Sequence, residues 1–169
     1  MSRLYGVVSH AAMCKILKKY KNTSFCECCN CDLNNSIQFD KLTEMKKDFH
    51  IEMVQFLQNN HLSVFVMEKK IYIPGLNGRI DCVFIENVHR KKLYIIDWKF
   101  TKNIPNELTV QHRIQLSLYA YIMKRMESFC MYEYETYCFF FSPDNQIKIL
   151  NCKILEDDFV ESLITRMCF

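Results

Sequence analysis

The chain has 169 residues, of which 50% are hydrophobic and 24% are charged, enough for one domain with a substantial core. Its 22 basic and 19 acidic residues leave a net charge of +3, too small an excess to indicate a polyanion partner without local chemistry. No apolar stretch approaches the roughly 20 residues of a membrane-spanning helix, and the first residues lack the apolar core of a secretory signal. We therefore expect an intracellular protein outside the membrane, in a compartment that the composition leaves open.

The ten cysteines would indicate disulfides in a secreted protein, but without a signal peptide they are expected to be thiols or metal ligands. Four of them form two overlapping C-x-x-C pairs: Cys26, Cys28, Cys29 and Cys31. This cluster is a candidate Zn²⁺ site. An unliganded loop is the alternative, because four thiolates so close in sequence cannot easily surround one tetrahedral ion. We divide the chain into an N-terminal cysteine-rich lobe, residues 1–39, and a core, residues 40–169.

Apolar periodicity and turn residues predict the elements in chain order. After a short helix from Ser9 to about Tyr20, the core is predicted to contain a helix at Leu42–Asn60, strands at Ser63–Ile73, Arg79–Glu86 and Leu93–Phe100, a helix at Glu107–Glu127, strands at Tyr132–Phe141 and Gln146–Ile154, and a helix at Asp157–Met167. The second long helix is predicted to bury one stripe: Ile114, Leu118, Ile122 and Met126. This order predicts an α/β fold with a mixed central β-sheet flanked by helices.

The hairpin formed by the second and third strands concentrates its charge at one end. Alternation places Asp81, Val83 and Ile85 on the face that carries Leu93, Ile95, Asp97 and Lys99 in the partner strand. Pairing Val83 with Ile95 then sets Asp81 opposite Asp97. The other face is predicted to hold Ile80, Cys82 and Phe84 against Tyr94, Ile96 and Trp98.

Two carboxylates that meet in an apolar setting need a compensating cation. Oxygen ligands without a thiolate favour Mg²⁺ or Mn²⁺, and Lys99 would lie beside that ion. Such a constellation suits phosphodiester hydrolysis, in which a metal polarises the phosphate and activates a water while the lysine orients or deprotonates it. Asp81, Asp97 and Lys99 are therefore candidate catalytic residues.

Two further polar positions lie on apolar helical stripes. Gln115 and Tyr119 are four residues apart on one face of the second long helix, where an amide should reach a polar partner. His50 lies at the edge of the apolar stripe of the first long helix. It is either a packing histidine or a further metal ligand, if that helix covers the charged end of the hairpin.

These residues resemble the PD-(D/E)XK nuclease superfamily, and within it the branch of the RecB nuclease domain and the Cas4 exonucleases. The matching segments are Phe49-His50 with Glu52, Glu68, Gly78-Arg79-Ile80-Asp81, Ile95-Ile96-Asp97-Trp98-Lys99, and Gln115-Leu116-Ser117-Leu118-Tyr119. The resemblance implies a restriction-endonuclease-like core. It implies metal binding by His50, Asp81 and Asp97, a catalytic Lys99, and a Q-x-x-x-Y element near the substrate at Gln115 and Tyr119. Glu68 is a weaker match, in a supporting position.

The leading hypothesis is a Mg²⁺- or Mn²⁺-dependent deoxyribonuclease that acts on strands with accessible ends, with other replication or repair proteins as candidate partners. Backbone contacts to DNA are expected from Arg79 and from Lys102, His112, Arg113 and the loop His89–Lys92. The iron-sulfur cluster of some Cas4-like relatives is not expected, because the C-terminal cysteines are scattered. Two alternatives remain: an RNA endonuclease of related fold, and a catalytically silent interaction module.

Overall fold

Five strands form one sheet, in the order in which they occur along the chain. The computed structural model describes residues 52, 53, 55–74, 76–89, 91–144 and 146–168. The elements are a helix α1, described from residue 52 to residue 59, then β1 (Leu62–Ile73), β2 (Leu76–Glu86), β3 (Lys92–Phe100), α2 (Val110–Arg125), β4 (Glu133–Phe141), β5 (Ile147–Cys152) and α3 (Asp157–Cys168). Strands β3 and β4 are parallel and the other neighbours are antiparallel.

The predicted α/β fold, a mixed sheet flanked by helices, is confirmed. The predicted helix Leu42–Asn60 is helical at residues 52, 53 and 55–59 and ends in a turn at Asn60, whereas the helix from Ser9 and the cysteine-rich lobe lie outside the described residues. Within the described part of the chain, no helix is long and apolar enough to cross a bilayer.

The sheet is covered by helices on both faces. The α1-side cluster joins Met53 and Leu57 of α1 to one face of the sheet, which contributes Cys82, Phe84, Tyr94, Ile96, Trp98, Phe139 and Phe141. The α2-side cluster joins Leu116, Ala120 and Met123 of α2 and Val160 of α3 to the other face, which contributes Val83, Ile85, Leu93 and Ile95. The hairpin strands are therefore apolar on both faces, as strands between two helical layers must be.

The predicted alternation of the hairpin is wrong at Ile80. This side chain is fully buried in the α2-side cluster, with Ile71, rather than on the face of Cys82 and Phe84. The β1–β2 ladder pairs Met67 with Cys82 and Lys69 with Ile80, and Glu68 between them has a left-handed φ of 54°. Because that conformation interrupts the regular pleat, Met67 and Ile71 lie in different clusters although they are four residues apart.

Helix α2 begins at Val110, three residues after the predicted start. Thr109 is its N-cap, and a capping box joins the Thr109 side chain to the His112 backbone N–H and the His112 ring to the Thr109 backbone N–H. The predicted stripe is only partly buried: Ile122 is fully buried, whereas the other fully buried apolar residues of the helix, Leu116, Ala120 and Met123, lie beside the stripe. Ile114 and Leu118 are half-buried and line a groove beside the sheet.

Candidate active site

Strands β2 and β3 separate at the end of the hairpin that carries the acidic residues. Their pairing follows the predicted register from Ile85 opposite Leu93 to Cys82 opposite Ile96, while β3 stays paired with β4 as far as Phe100. Asp81 lies where the two strands separate, and its Oδ2 accepts a hydrogen bond of 3.0 Å from the backbone N–H of Trp98. A carboxylate thus takes the place of a strand carbonyl next to Asp97. We call Asp81 and the segment Asp97–Lys99 the strand fork.

Asp97 is only 3% exposed, yet both of its oxygens have donors. The Lys99 ammonium lies 2.9 Å from Oδ2 and 3.1 Å from Oδ1, and the Gln115 amide nitrogen donates to Oδ1 at 3.0 Å. The Cys138 thiol donates to Oδ2 at 3.5 Å. A buried carboxylate is costly unless it is paired and hydrogen-bonded, and these donors meet that requirement.

Lys99 links the two polar partners of Asp97, since its ammonium also donates to Oε1 of Gln115 at 3.2 Å. Burial by itself would lower the pKa of Lys99, but the charge and hydrogen bond of Asp97, with the charge of Asp81, raise it overall. Lys99 is therefore a cation at neutral pH. In this state it can orient and stabilise an anionic group but has no free lone pair with which to act as a base.

Gln115 uses the whole hydrogen-bonding capacity of its amide nitrogen. The two N–H groups donate to Asp97 and, at 2.8 Å, to the hydroxyl of Tyr119. The Tyr119 oxygen is thereby an acceptor, which leaves its own hydrogen for a further partner. Burial raises the pKa of Tyr119, so the hydroxyl remains protonated and can donate. The structure thus brings Gln115 and Tyr119 together with Asp97 and Lys99.

Glu68 and Arg79 form an ion pair beside the fork. Arg79 Nε lies 3.0 Å from Glu68 Oε2, and the Arg79 side chain is 59% exposed whereas that of Glu68 is 11% exposed. Glu68 lies across the β1–β2 ladder from Asp81, at the interrupted position. Left-handed backbone at a non-glycine residue is strained and concentrates at functional sites. Arg79 is thus a surface cation anchored by Glu68, two residues before Asp81 in β2.

Cys138 is the member of the cluster that the sequence did not indicate. It is fully buried and is the strand partner of Asp97 in the parallel β3–β4 pair. Burial and the nearby Asp97 strongly raise the pKa of its thiol, so it is a neutral donor. The register between two strands that are separated by a helix cannot be read from local periodicity, and the sequence offers no other signal for this contact.

The predicted DNA contacts in the loop His89–Lys92 are remote from the fork. Lys92 opens β3 and is five residues before Asp97, a distance of about 16 Å along a strand. Its ammonium is paired with Glu135 at 2.9 Å. The loop therefore does not belong to the cluster around Asp97.

Asp81 and Asp97 suit a hard divalent cation. Two carboxylates and the Lys99 ammonium leave one net negative charge, and Mg²⁺ is commonly held by one or two carboxylates together with waters and substrate phosphate. No three histidine, cysteine, aspartate or glutamate side chains converge as a metal-binding group in the described ranges. His50 and the candidate zinc ligands Cys26, Cys28, Cys29 and Cys31 lie outside those ranges.

Comparisons with known proteins identify the family of the chain. The profile of the PD-(D/E)XK nuclease superfamily matches residues 7–153. No curated protein matches the chain significantly. The crystal structure of SSO0001 is similar with a TM-score of 0.41 and 17% identity, over 71% of this chain and 55% of that chain. The present chain thus spans about half the length of that protein.

Proposed function

Because the chain belongs to the PD-(D/E)XK nuclease superfamily, which implies a hydrolase of nucleic acid phosphodiester bonds, we propose that it is a metal-dependent deoxyribonuclease of the RecB/Cas4-like branch. We propose further that it acts on strands with accessible ends. One observation carries the assignment: a buried Asp97 is held by Lys99 and Gln115 directly beside Asp81. A strand end in an inert scaffold would have no reason to bury that charge.

In this proposal the two acids and the lysine of the strand fork, together with Gln115 and His50, each have a separate role. Asp81 and Asp97 would hold the metal ion, which supplies polarisation of the phosphate and a lowered pKa of the attacking water. Lys99 donates to a phosphate oxygen and stabilises the charge that develops there. Gln115 fixes the positions of both Asp97 and Lys99 through its amide. His50 is proposed as a further metal ligand.

Two side chains are proposed to contact the substrate outside the metal position. The Tyr119 hydroxyl accepts from Gln115 and has its own hydrogen for a phosphate oxygen. Arg79 is exposed and anchored by Glu68, so its guanidinium can face a second phosphate at little entropic cost. Both contacts address the backbone and give no base sequence preference.

The test is hydrolysis of end-labelled single-stranded and duplex DNA by the full chain with Mg²⁺ or Mn²⁺. Asp97→Ala and Lys99→Ala should each lower kcat at least about a hundredfold, because each removes charge stabilisation at the reacting phosphate. The matched controls are Asp158→Ala and Lys153→Ala, which remove exposed charges of the same types outside the fork. The controls should retain the wild-type rate.

Further measurements distinguish the proposed deoxyribonuclease from an RNA endonuclease and from a catalytically silent interaction module. Faster hydrolysis of RNA than of DNA of the same sequence would support the RNA endonuclease. Absence of hydrolysis, together with no heat of Mn²⁺ binding by calorimetry, would support the silent interaction module. A rate that His50→Ala leaves unchanged would remove this histidine from the metal site and, with it, one motif of the RecB/Cas4-like branch.

A further inference from the structure

An apolar groove begins at the candidate active site and leads away from the fork. Its volume is about 320 Å³, and it lies between α2 and the β1–β2 hairpin. Gln115 and Tyr119, which contact the Asp97–Lys99 cluster, are also part of its wall. A molecule that places a phosphate at the fork would therefore have its neighbouring atoms at the mouth of this groove.

The walls of the groove are aliphatic on both sides. Ile114, Leu118 and Ile122 line it from α2, and Ile71 and Leu76 line it from the hairpin. Ile114, Leu118 and Leu76 are half-buried, so they keep an apolar surface without closing it off. An aliphatic slot of this kind accepts a flat apolar group on both of its faces.

The lining of the groove also includes a few polar residues. Asn77 and Gln111 belong to the lining, and both residues are exposed. Each amide offers both donors and an acceptor, so it can pair with the edge of any nucleobase. A base can pair its polar edge with such an amide while its faces contact the aliphatic walls, whereas an alkyl chain would contact the walls alone.

Tyr119 belongs to both the groove and the candidate active site. A Cβ atom built on Gly78 would lie only 3.2 Å from Cε1 of this ring, so the glycine gives the ring room to stand where it does. The ring is part of the groove lining while its hydroxyl is bonded to Gln115. Tyr119 thus has one end toward the phosphate position and an aromatic edge in the slot.

We propose that the groove binds one unpaired nucleobase of the DNA substrate, adjacent to the phosphate that is cleaved. This inference rests on the proposed nuclease function and adds a position for one base beside the fork, lined by the groove residues. The volume lies at the lower end of the range of about 300–1,000 Å³ for ligand sites, which suits one nucleoside and is too small for a protein helix. A paired base cannot enter, because it is stacked within the duplex.

The test compares an oligothymidylate with an abasic oligomer of the same length, both incubated with the full chain and Mn²⁺. The two substrates carry the same phosphates, so a difference in kcat/KM reports the bases alone. We expect the abasic oligomer to be cleaved about tenfold or more less efficiently, the size of effect that one stacked base produces. Duplex DNA with blunt ends should be cleaved more slowly than the oligothymidylate.

Substitutions that fill the groove from opposite walls test whether the preference for the oligothymidylate over the abasic oligomer arises in the groove. Leu76→Trp and Ile114→Trp should each bring the ratio of the two kcat/KM values close to one. Val110→Trp adds the same side chain to α2 at a position that is 71% exposed and outside the groove, and it should keep the wild-type ratio. Two variants from different elements guard against loss of folding in either one.

The outcomes distinguish this inference from the function on which it rests. Equal cleavage of both substrates by the wild type, or an unchanged ratio in the two folded groove variants, would overturn the base site and leave the nuclease intact. No cleavage of either substrate by the wild type with any divalent metal would overturn the proposed nuclease function itself.

Discussion

The Cys138 thiol has one polar contact of consequence, its hydrogen bond to the buried Asp97 carboxylate. Cys138→Ala would remove this donor and leave a small cavity, so we expect the free energy of unfolding to fall by about 1–3 kcal/mol. Cys138→Ser keeps a donor and should lose less. Denaturant unfolding of the three proteins checks this order, and an alanine variant as stable as the wild type would contradict the role of the thiol.

Gly78 offers a test of the Tyr119 position. A methyl group at Gly78 would lie 3.2 Å from the tyrosine ring, closer than side chains normally approach, so Gly78→Ala should displace the ring by a few tenths of an ångström. We expect kcat/KM for DNA to fall several-fold, while the free energy of unfolding changes by less than about 1 kcal/mol.

A double-mutant cycle shows whether Gly78→Ala lowers kcat/KM by displacing the Tyr119 ring. In a Tyr119→Ala background, Gly78→Ala should cost little further activity, because the atom that it contacts has been removed. Additive losses in kcat/KM would instead indicate that Gly78 acts on another part of the site.

At the scale of the elements, the start of α2 is sensitive to pH. The His112 ring accepts the Thr109 backbone N–H through Nδ1, a bond that requires this nitrogen to be unprotonated. Burial and the nearby Lys99 cation lower the pKa of His112, while Asp97 opposes the shift in part. Since the folded pKa is below the unfolded value of about 6.5, the stabilisation is present above that pH and is lost as the pH falls through the folded pKa.

The variant His112→Gln isolates this contribution, because glutamine also completes a capping box but does not titrate. Thermal unfolding between pH 5 and pH 8 should show the wild type losing more of its Tm than the variant on acidification. Parallel Tm profiles for the two proteins would show that His112 does not titrate within the folded range.

The sequence identified the described elements because their signals are local. Helical and alternating periods, the turn residues and the short connection of the hairpin determine β2, β3 and their register. Ile80 was misplaced because its orientation depends on the left-handed backbone of Glu68, which residue types do not reveal. The predicted stripe of α2 is buried at Ile122 but only half-buried at Ile114 and Leu118, because the sheet covers Leu116, Ala120 and Met123 beside it.

In the candidate site, too, local sequence signals predicted some residues, whereas contacts between distant segments could not be predicted. Asp81, Asp97 and Lys99 were predicted from one hairpin, and Gln115 from its anomalous place on a helical stripe. The Cys138 contact depends on the parallel pairing of β3 and β4, which joins residues 41 positions apart. Helix α2 connects β3 to β4 in sequence and packs on one face of the sheet, so no local pattern encodes the register of the two strands.

At the scale of the whole molecule, binding of the proposed metal should stabilise the fold. An ion present at a hundred times its Kd adds about 2.7 kcal/mol to the free energy of unfolding, or roughly 5–10 °C in Tm for a domain of this size. Thermal unfolding of the wild type with and without Mn²⁺ checks this shift. Asp97→Asn should show none of it, and an equal rise in this variant would place the ion elsewhere in the chain.

The parallel pairing of β3 with β4 also has a consequence during synthesis. The β1–β2–β3 meander can form as soon as it has left the ribosome, because its contacts are local. Asp97 gains the amide of Gln115 only when α2 has emerged, and the thiol of Cys138 only with β4. A nascent chain therefore carries both acids and the lysine well before the side chains of α2 and β4 that hold Asp97 have been made.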